Sequence, residues 1–283
     1  MASNGSAERC VPPDPVGELL RRTPRFRGKG RLQQWWLGRR SPGDVRTRIL
    51  PGGTSIACDV SVPYEAEIWL GLEERNELRV LQMLLQPGHT FVDCGANIGL
   101  WTLVASRKVE PGGLVVAFEP QPTTYGRLLA NVRANGCENA RCVQAALGDR
   151  SGSAYVRLDG QHNCATMLSE PTGSSAAVPV TRLDSELEGL KVDGCKIDVE
   201  GSELEVVEGA RGLLERERPW LCVEFNTLLA GTTTLEEWPV HRILCEAGYR
   251  AVPVSSAMIG NVHETIPSGW RARGYVNLFY FPS

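Results

Sequence analysis

One stretch constrains this chain more than any other: Phe91-Val92-Asp93-Cys94-Gly95-Ala96-Asn97-Ile98-Gly99-Leu100-Trp101. An apolar run of strand type passes there, within a few residues, into a run that reads as a helix. A glycine at a strand exit lets the backbone turn sharply and approach a ligand with no Cβ in the way. Gly99 then lets the following helix pack closely. A second apolar run ends in Phe118-Glu119-Pro120, with Glu119 24 residues after Gly95. An acidic side chain at the end of the second strand can accept both hydroxyl hydrogens of a ribose. The two strand ends together point to an adenosine-type ligand.

The rest of the chain extends the alternation. Apolar spacing predicts strands over Thr90–Cys94, Leu114–Glu119, Arg141–Ala146, Gly194–Val199, Trp220–Phe225, Tyr249–Val254 and Tyr275–Phe281. Helices are expected over Glu73–Leu85, Gly99–Val109, Pro122–Asn135, Ser202–Leu214 and Leu235–Ala247. The third of these has Pro at its first turn and Gly136 after its end. A polar stretch at 148–177 is expected to hold short strands. Alternating strands and helices predict an α/β fold with a mostly parallel sheet covered on both faces. Ligands bind beyond the carboxyl ends of such strands.

The segment before residue 73 is different. Residues 1–50 hold eleven Lys/Arg against four Asp/Glu, although the whole chain of 283 residues carries −3. Prolines at 12, 13, 15 and 24 and interspersed glycines suggest an irregular basic arm, with one short helix near Val16–Arg22. Pro51-Gly52-Gly53 then turns a hairpin between Ile49–Leu50 and Thr54–Val60. Residues 1–72 are therefore expected to be accessory. They are either a solvated extension or a substrate lid, subunit contact or anion-binding element. Trp35 and Trp36 favour some burial. The acidic remainder speaks against bulk-charge binding to nucleic acid. No run of about 18 apolar residues predicts a membrane span. The first residues show no apolar signal core, so the expected compartment is the cytoplasm. Nine cysteines with no CxxC pair read as reduced, partly buried thiols.

The glycine spacing narrows the ligand. A dinucleotide needs G-x-G-x-x-G to free a helix N-terminus for pyrophosphate. Here Asn97 stands where the middle glycine would be, with Asp93 just before the turn. An acidic loop of this kind suits a ligand without phosphates and with a cationic centre. S-adenosylmethionine has a ribose, an adenine, a sulfonium and an amino-acid tail, and it fits.

Over roughly residues 74–283 the sequence resembles the FkbM-type S-adenosylmethionine-dependent methyltransferases. The resemblance rests on Pro87–Gly99, on Ala117-Phe118-Glu119-Pro120, on Ala145–Asp149, and above all on Lys196-Ile197-Asp198-Val199-Glu200-Gly201-Ser202-Glu203. Departures are small: Cys94 stands where an aliphatic residue is commoner, and Arg182 where leucine is usual. The resemblance implies a Rossmann-like class I fold with a seven-stranded sheet whose last strand is antiparallel. It implies that Asp93, Gly95, Asn97 and Gly99 shape the methionine end of the cofactor site. Glu119 with Pro120 would hold the ribose, and Gln144–Ala146, Ala145 included, would line the adenine. Glu74 matches an upstream Glu near the cofactor amino group. The implied reaction is O-methylation of a hydroxyl on a sugar or natural product, so the expected partner is a small-molecule or glycan acceptor.

Methyl transfer needs acceptor oxygen, carbon and sulfur held in line, and the hydroxyl proton removed or polarised. Lys196 and Asp198 share one face of their strand. Asp198 or Glu200 is the expected base or acceptor-orienting group, with Glu224 nearby. Lys196 paired to a carboxylate, and Ser202 with Glu203 serving a helix start, are the plainer structural readings. The same carboxylates form an oxygen-rich set of the kind Mg2+ takes, but the favoured reading holds no metal. His162, in the polar stretch, is a further candidate base. Two other readings stay open: a cofactor-binding protein without catalysis, and a nucleic-acid methyltransferase steered by the basic arm. Assembly into a homo-oligomer also stays open.

Overall fold

The computed structural model describes residues 14–23, 29–158, 167–168, 170–171, 173–258, 260–261, 264 and 266–283. The chain separates into two compact units, residues 1–48 with 57–73 and residues 49–56 with 74–283. The tip of the hairpin groups with the larger unit, although its arms read as one element in the sequence.

The described residues of the smaller unit hold the short helix expected near Val16–Arg22 and more regular structure than an irregular arm would have. Helix α1 (Pro15–Arg22) is capped by the Asp14 carboxylate, which accepts from the Gly17 amide. Helix α2 (Lys29–Leu37) follows. Strands β1 (Val45–Ile49) and β2 (Ser55–Asp59) form the expected hairpin. Helix α3 (Pro63–Leu70) comes next and ends on Gly71. Its core is polar and aromatic. Trp36 is fully buried, lies 5.6 Å from Trp69 in a near-parallel stack, and donates to Asp14 at 2.8 Å. Arg46 is buried beside the same indoles and pairs with Asp14 and Asp44. Trp35 behaves differently from its neighbour: it is 46 % exposed, with Arg39 over its ring. Basic charge that looks free in the sequence is thus partly neutralised inside this unit.

The larger unit is built on a seven-stranded sheet. Its strands are β3 (Thr90–Cys94), β4 (Leu114–Phe118), β5 (Ala140–Val143), β10 (Gly194–Ile197), β11 (Trp220–Asn226), β12 (Tyr249–Pro253) and β13 (Tyr275–Pro282). Their order is β12-β13-β11-β10-β3-β4-β5, with β13 the antiparallel strand between β11 and β12. This is the Rossmann-like arrangement expected. The helices are α4 (Arg75–Leu84), α5 (Leu100–Val109), α6 (Pro122–Ala134), α7 (Leu183–Glu186), α8 (Glu203–Glu208), α9 (Arg211–Arg216), α10 (Pro239–Glu246) and α11 (Val254–Met258).

Two sequence expectations need revision. The strand predicted over Arg141–Ala146 stops at Val143, and Ala146–Leu147 (β6) belongs to a separate four-stranded sheet. That sheet, ordered β6-β9-β7-β8, also holds β7 (Gly152–Arg157), β8 (Met167–Leu168) and β9 (Ser175–Thr181). The helix predicted over Ser202–Leu214 is two short helices that part at Gly209, which sits against the Gly148 carbonyl where a side chain would not fit.

Strand alternation sorts the sheet into two faces. Val92, Cys94, Val116, Phe118, Cys195, Ile197, Leu221 and Val223 pack in the main apolar core with residues of α8, α9 and α10. Buried Cys94 and Cys195 touch there at 3.7 Å between sulfurs, as small apolar side chains do. Phe91, Trp101, Trp220 and Phe279 form a ring cluster on the other face. Asp93, Lys196, Cys222 and Glu224 share the strand parity of Phe91, so the polar groups lie along one side of the sheet.

Candidate functional site

The site gathers at the carboxyl ends of β3, β4, β10 and β11. Gly95 leaves β3 with φ +80° and its amide on the Phe118 carbonyl. A Cβ there would run into the carbonyl oxygen of Asp198, so β3 and β10 can approach only because this residue is glycine. Asn97 takes a left-handed conformation with φ +50°, and its side chain accepts from the Ile98 amide. Gly99, with φ +98°, begins α5 and brings its backbone against Leu128.

Glu119 is 3 % exposed, and its two oxygens accept from the Asn97 and Gln121 amides at 3.0 and 2.9 Å. Each carboxylate oxygen keeps a second lone pair, the capacity two ribose hydroxyls would use. Burial pushes this carboxyl up to about 7 despite those amides. Pro120 is half-buried beside it, and Ala145 is buried just after β5.

Asp93 and Lys196 are partners in the β3–β10 register. Asp93 is fully buried; its Oδ2 accepts from Thr102 at 2.6 Å, and its Oδ1 has no hydrogen-bond partner among the described residues. Burial raises its titration against the pull of Lys196. Lys196 is 3 % exposed, and its Nζ lies 2.9 Å from Asp198 Oδ2 and 5.7 Å from the Trp101 ring centre. Burial disfavours the ammonium, but Asp198, Glu74 and Asp93 outweigh that and hold Lys196 well above its ordinary range. Glu74 precedes α4 in a left-handed conformation, buried. Burial pushes it up to about 7, opposed by Lys196. The Trp101 indole N–H draws Glu74 the other way, yet it makes no hydrogen bond of ordinary geometry.

Beyond β10 the chain passes through Glu200 at φ +56° and Gly201 at φ +103°. Glu203 folds back to accept from the Val199 and Gly201 amides, both at 3.1 Å, and so shapes this loop. Ser202 makes no side-chain cap. Glu224 lies near the end of β11, and its Oε2 is buried with no hydrogen-bond partner among the described residues. Burial, followed by the charges of Asp198 and Glu200, pushes Glu224 up to about 9.

The sheet therefore brings Asp93, Asp198 and Glu224 to one face with Lys196, and Glu74 interacts with that lysine. Glu119, Asn97 and Gly99 stand at the neighbouring β4 end. Thr102 and Trp101 carry no sequence signal for a role here, because only the packing of α5 on β3 brings them to Asp93 and Lys196. His162 lies outside the described residues. Among the described residues, no group of three or more His, Cys, Asp or Glu is arranged to hold a metal ion. A tight glycine cradle, carboxylates in excess over one lysine, and an orphaned Asp93 oxygen fit a cationic adenosine ligand.

Residues 93–251 match the model of the methyltransferase FkbM domain family. The chain belongs to the FkbM methyltransferase family. It is an S-adenosylmethionine-dependent methyltransferase. The hexuronic acid methyltransferase AglP of Haloferax volcanii is 29 % identical over 189 residues, 64 % of this chain and 75 % of that one. The 31-O-demethyl-FK506 methyltransferase FkbM of Streptomyces tacrolimicus is 40 % identical over 68 residues, 24 % of this chain and 25 % of that one. The crystal structure of the methyltransferase FkbM from Methylobacillus flagellatus matches with a TM-score of 0.45 and 16 % identity, over 77 % of this chain and 54 % of that one. Among the described residues, no helix is long and apolar enough to cross a membrane.

Proposed function

We propose that this FkbM-family protein transfers a methyl group to a hydroxyl oxygen of a sugar or natural-product acceptor. S-adenosylmethionine supplies the methyl carbon already activated on a cationic sulfur. What the chain supplies is position and proton management. Gly95 and Gly99 let the backbone come close to the ligand, and Glu119 meets the ribose. Asp93 and Glu74, buried with Lys196, surround the methionine end.

Asp198 carries the reading. It stands at the β10 exit against Gly95, partly open to solvent, with one carboxylate oxygen held by Lys196 at 2.9 Å. A carboxylate fixed in this way can accept the acceptor's proton without swinging away. Glu200 follows it in a strained turn and orients the acceptor. Two relatives, a hexuronic acid methyltransferase and a 31-O-demethyl-FK506 methyltransferase, support a sugar or natural-product acceptor, and the second supports oxygen as the atom methylated.

The test is a radiolabelled methyl-transfer assay over hexuronic acid glycosides and hydroxylated macrolides, with fragmentation of the product to locate the methyl group. Label on oxygen is expected, and Asp198→Asn should cut turnover by at least about a hundredfold while the protein stays folded. Label on nitrogen or carbon, or near-normal turnover in D198N, would overturn the reading.

A further inference from the structure

We propose that Glu224 holds a proton in the ligand-free protein, beside the charge of Asp198, and releases it when the sulfonium cation of the cofactor binds. The inference rests on the reading that this site takes S-adenosylmethionine.

Register places the two groups side by side. Strands β10 and β11 pair in parallel up to Ile197 and Val223; Asp198, just past the end of β10, and Glu224 of β11 are the residues that follow that pair. On the opposite side, Glu224 pairs across the antiparallel ladder with Asn277 of β13, which carries no charge. Directly opposed residues of such a ladder have their side chains on one face, within a few ångströms. Glu224 Oε2 and Asn277 Oδ1 are both buried acceptor oxygens with no donor among the described residues, and Asn277 is only 7 % exposed. Two unsatisfied acceptors on an opposed pair are costly. A proton on Glu224 is the donor this pair lacks.

Charge leads to the same conclusion. The ionisable groups acting on Glu224 are Asp198 and Lys196 of β10, Glu200 in the loop beyond it, and Glu203 at the start of α8. Lys196 is engaged with Asp198. Glu203 accepts from two backbone amides. Among the described residues, Glu224 is thus left among like charges with no cation of its own, and burial together with those charges keeps its proton on at neutral pH.

A sulfonium is a fixed positive charge that has no proton to lose. Placed beside the two carboxylates, it replaces the proton as their counter-charge. S-adenosylhomocysteine has nearly the same shape and lacks that charge, so it leaves the proton in place. The cycle balances. When the acceptor's oxygen forms its bond to carbon and the carbon–sulfur bond breaks, the positive charge on sulfur disappears. The hydroxyl proton, accepted by Asp198, then returns to Glu224. Glu224 thereby becomes available as a base only while the methyl donor is bound.

The experiment is isothermal titration calorimetry of the full chain near neutral pH with S-adenosylmethionine and, separately, S-adenosylhomocysteine. Each titration is run in phosphate and in Tris, whose protonation enthalpies differ. About one proton released per S-adenosylmethionine and about none per S-adenosylhomocysteine is expected from linkage. In Glu224→Gln the difference between the two ligands should vanish. Equal proton exchange for both ligands in the unaltered protein, or an undiminished difference in E224Q, would overturn the proposal while leaving the cofactor reading intact. Binding of neither ligand would overturn both. The comparison of the two ligands on the unaltered protein decides the question even where the variant folds poorly.

Discussion

Replacing Glu224 with Gln is expected to make the protein more stable, and increasingly so as pH rises. The carboxyl titrates near 4.5 ordinarily and at about 9 in the folded protein, pushed up first by burial and then by Asp198 and Glu200. Between those values the folded state holds a proton that the unfolded chain has lost, so stability falls as pH rises through the interval. Below it both states are protonated, and the group contributes nothing to the pH dependence. At 1.36 kcal/mol per pH unit, the cost at neutral pH is about 3 kcal/mol, which partial contact with solvent trims to about 2 kcal/mol. Gln removes the titration and offers an N–H2 donor where Glu224 and Asn277 have none. For a body of about 200 residues, each kcal/mol moves Tm by about 2–4 °C, so E224Q should melt about 5 °C higher at neutral pH. The assay is thermal unfolding of both proteins at about pH 4.5, 7 and 8.5, with the gain in E224Q near zero at the acid end and largest at the alkaline end. A gain that does not change with pH, or a loss at alkaline pH, would show that Glu224 is ionised in the folded protein and would refute the argument.

Other expectations are simpler to check. Gly95→Ala should cost more than about 3 kcal/mol in urea unfolding, because a left-handed residue would also meet the Asp198 carbonyl; Gly136→Ala, left-handed in open space, should cost only about 1–2 kcal/mol. Similar costs at the two positions would remove the close approach of β3 and β10 as the reason for Gly95. Lys196→Met should destabilise by about 3–5 kcal/mol at neutral pH, because it leaves Asp93, Glu74 and Asp198 without their cation. That loss should shrink toward acid pH as Asp93 and Glu74, both raised by burial, take up protons, and chemical unfolding at two pH values would measure it. A loss of equal size at both would point to lost packing alone.

Much of the architecture was legible because it follows from short-range rules. The strand run Thr90–Cys94, the turn Gly95–Gly99 and the helix after it are one continuous stretch, and their residues dictate strand, tight turn and close-packed helix in order. Glu119 was legible for the same reason, since it ends the next strand at a fixed distance along the chain. The smaller unit was not. Trp36 and Trp69 are 33 residues apart in the chain, and nothing local announces that they stack or that Asp14 and Arg46 meet beside them. The break between Val143 and Ala146 was hidden too, because an apolar run looks the same whether it serves one sheet or two.

By itself, then, the order of residues determined the alternating fold, the strand ends where chemistry gathers, and the family to which the chain belongs. Those features depend on periodicity and on motifs confined to a few neighbouring positions. Only the tertiary structure decided which charges act together. Lys196 lies opposite Asp93 because β10 pairs with β3 in one register, and Asp198 and Glu224 stand side by side because β11 pairs with β10 in another. A shift of one residue in either ladder would turn these side chains to the opposite face of the sheet. Burial then raises Asp93, Glu74 and Glu224, while the charges of Asp198, Glu74 and Asp93 hold the proton of Lys196 against burial, because an ion removed from water takes its ionisation from its nearest neighbours.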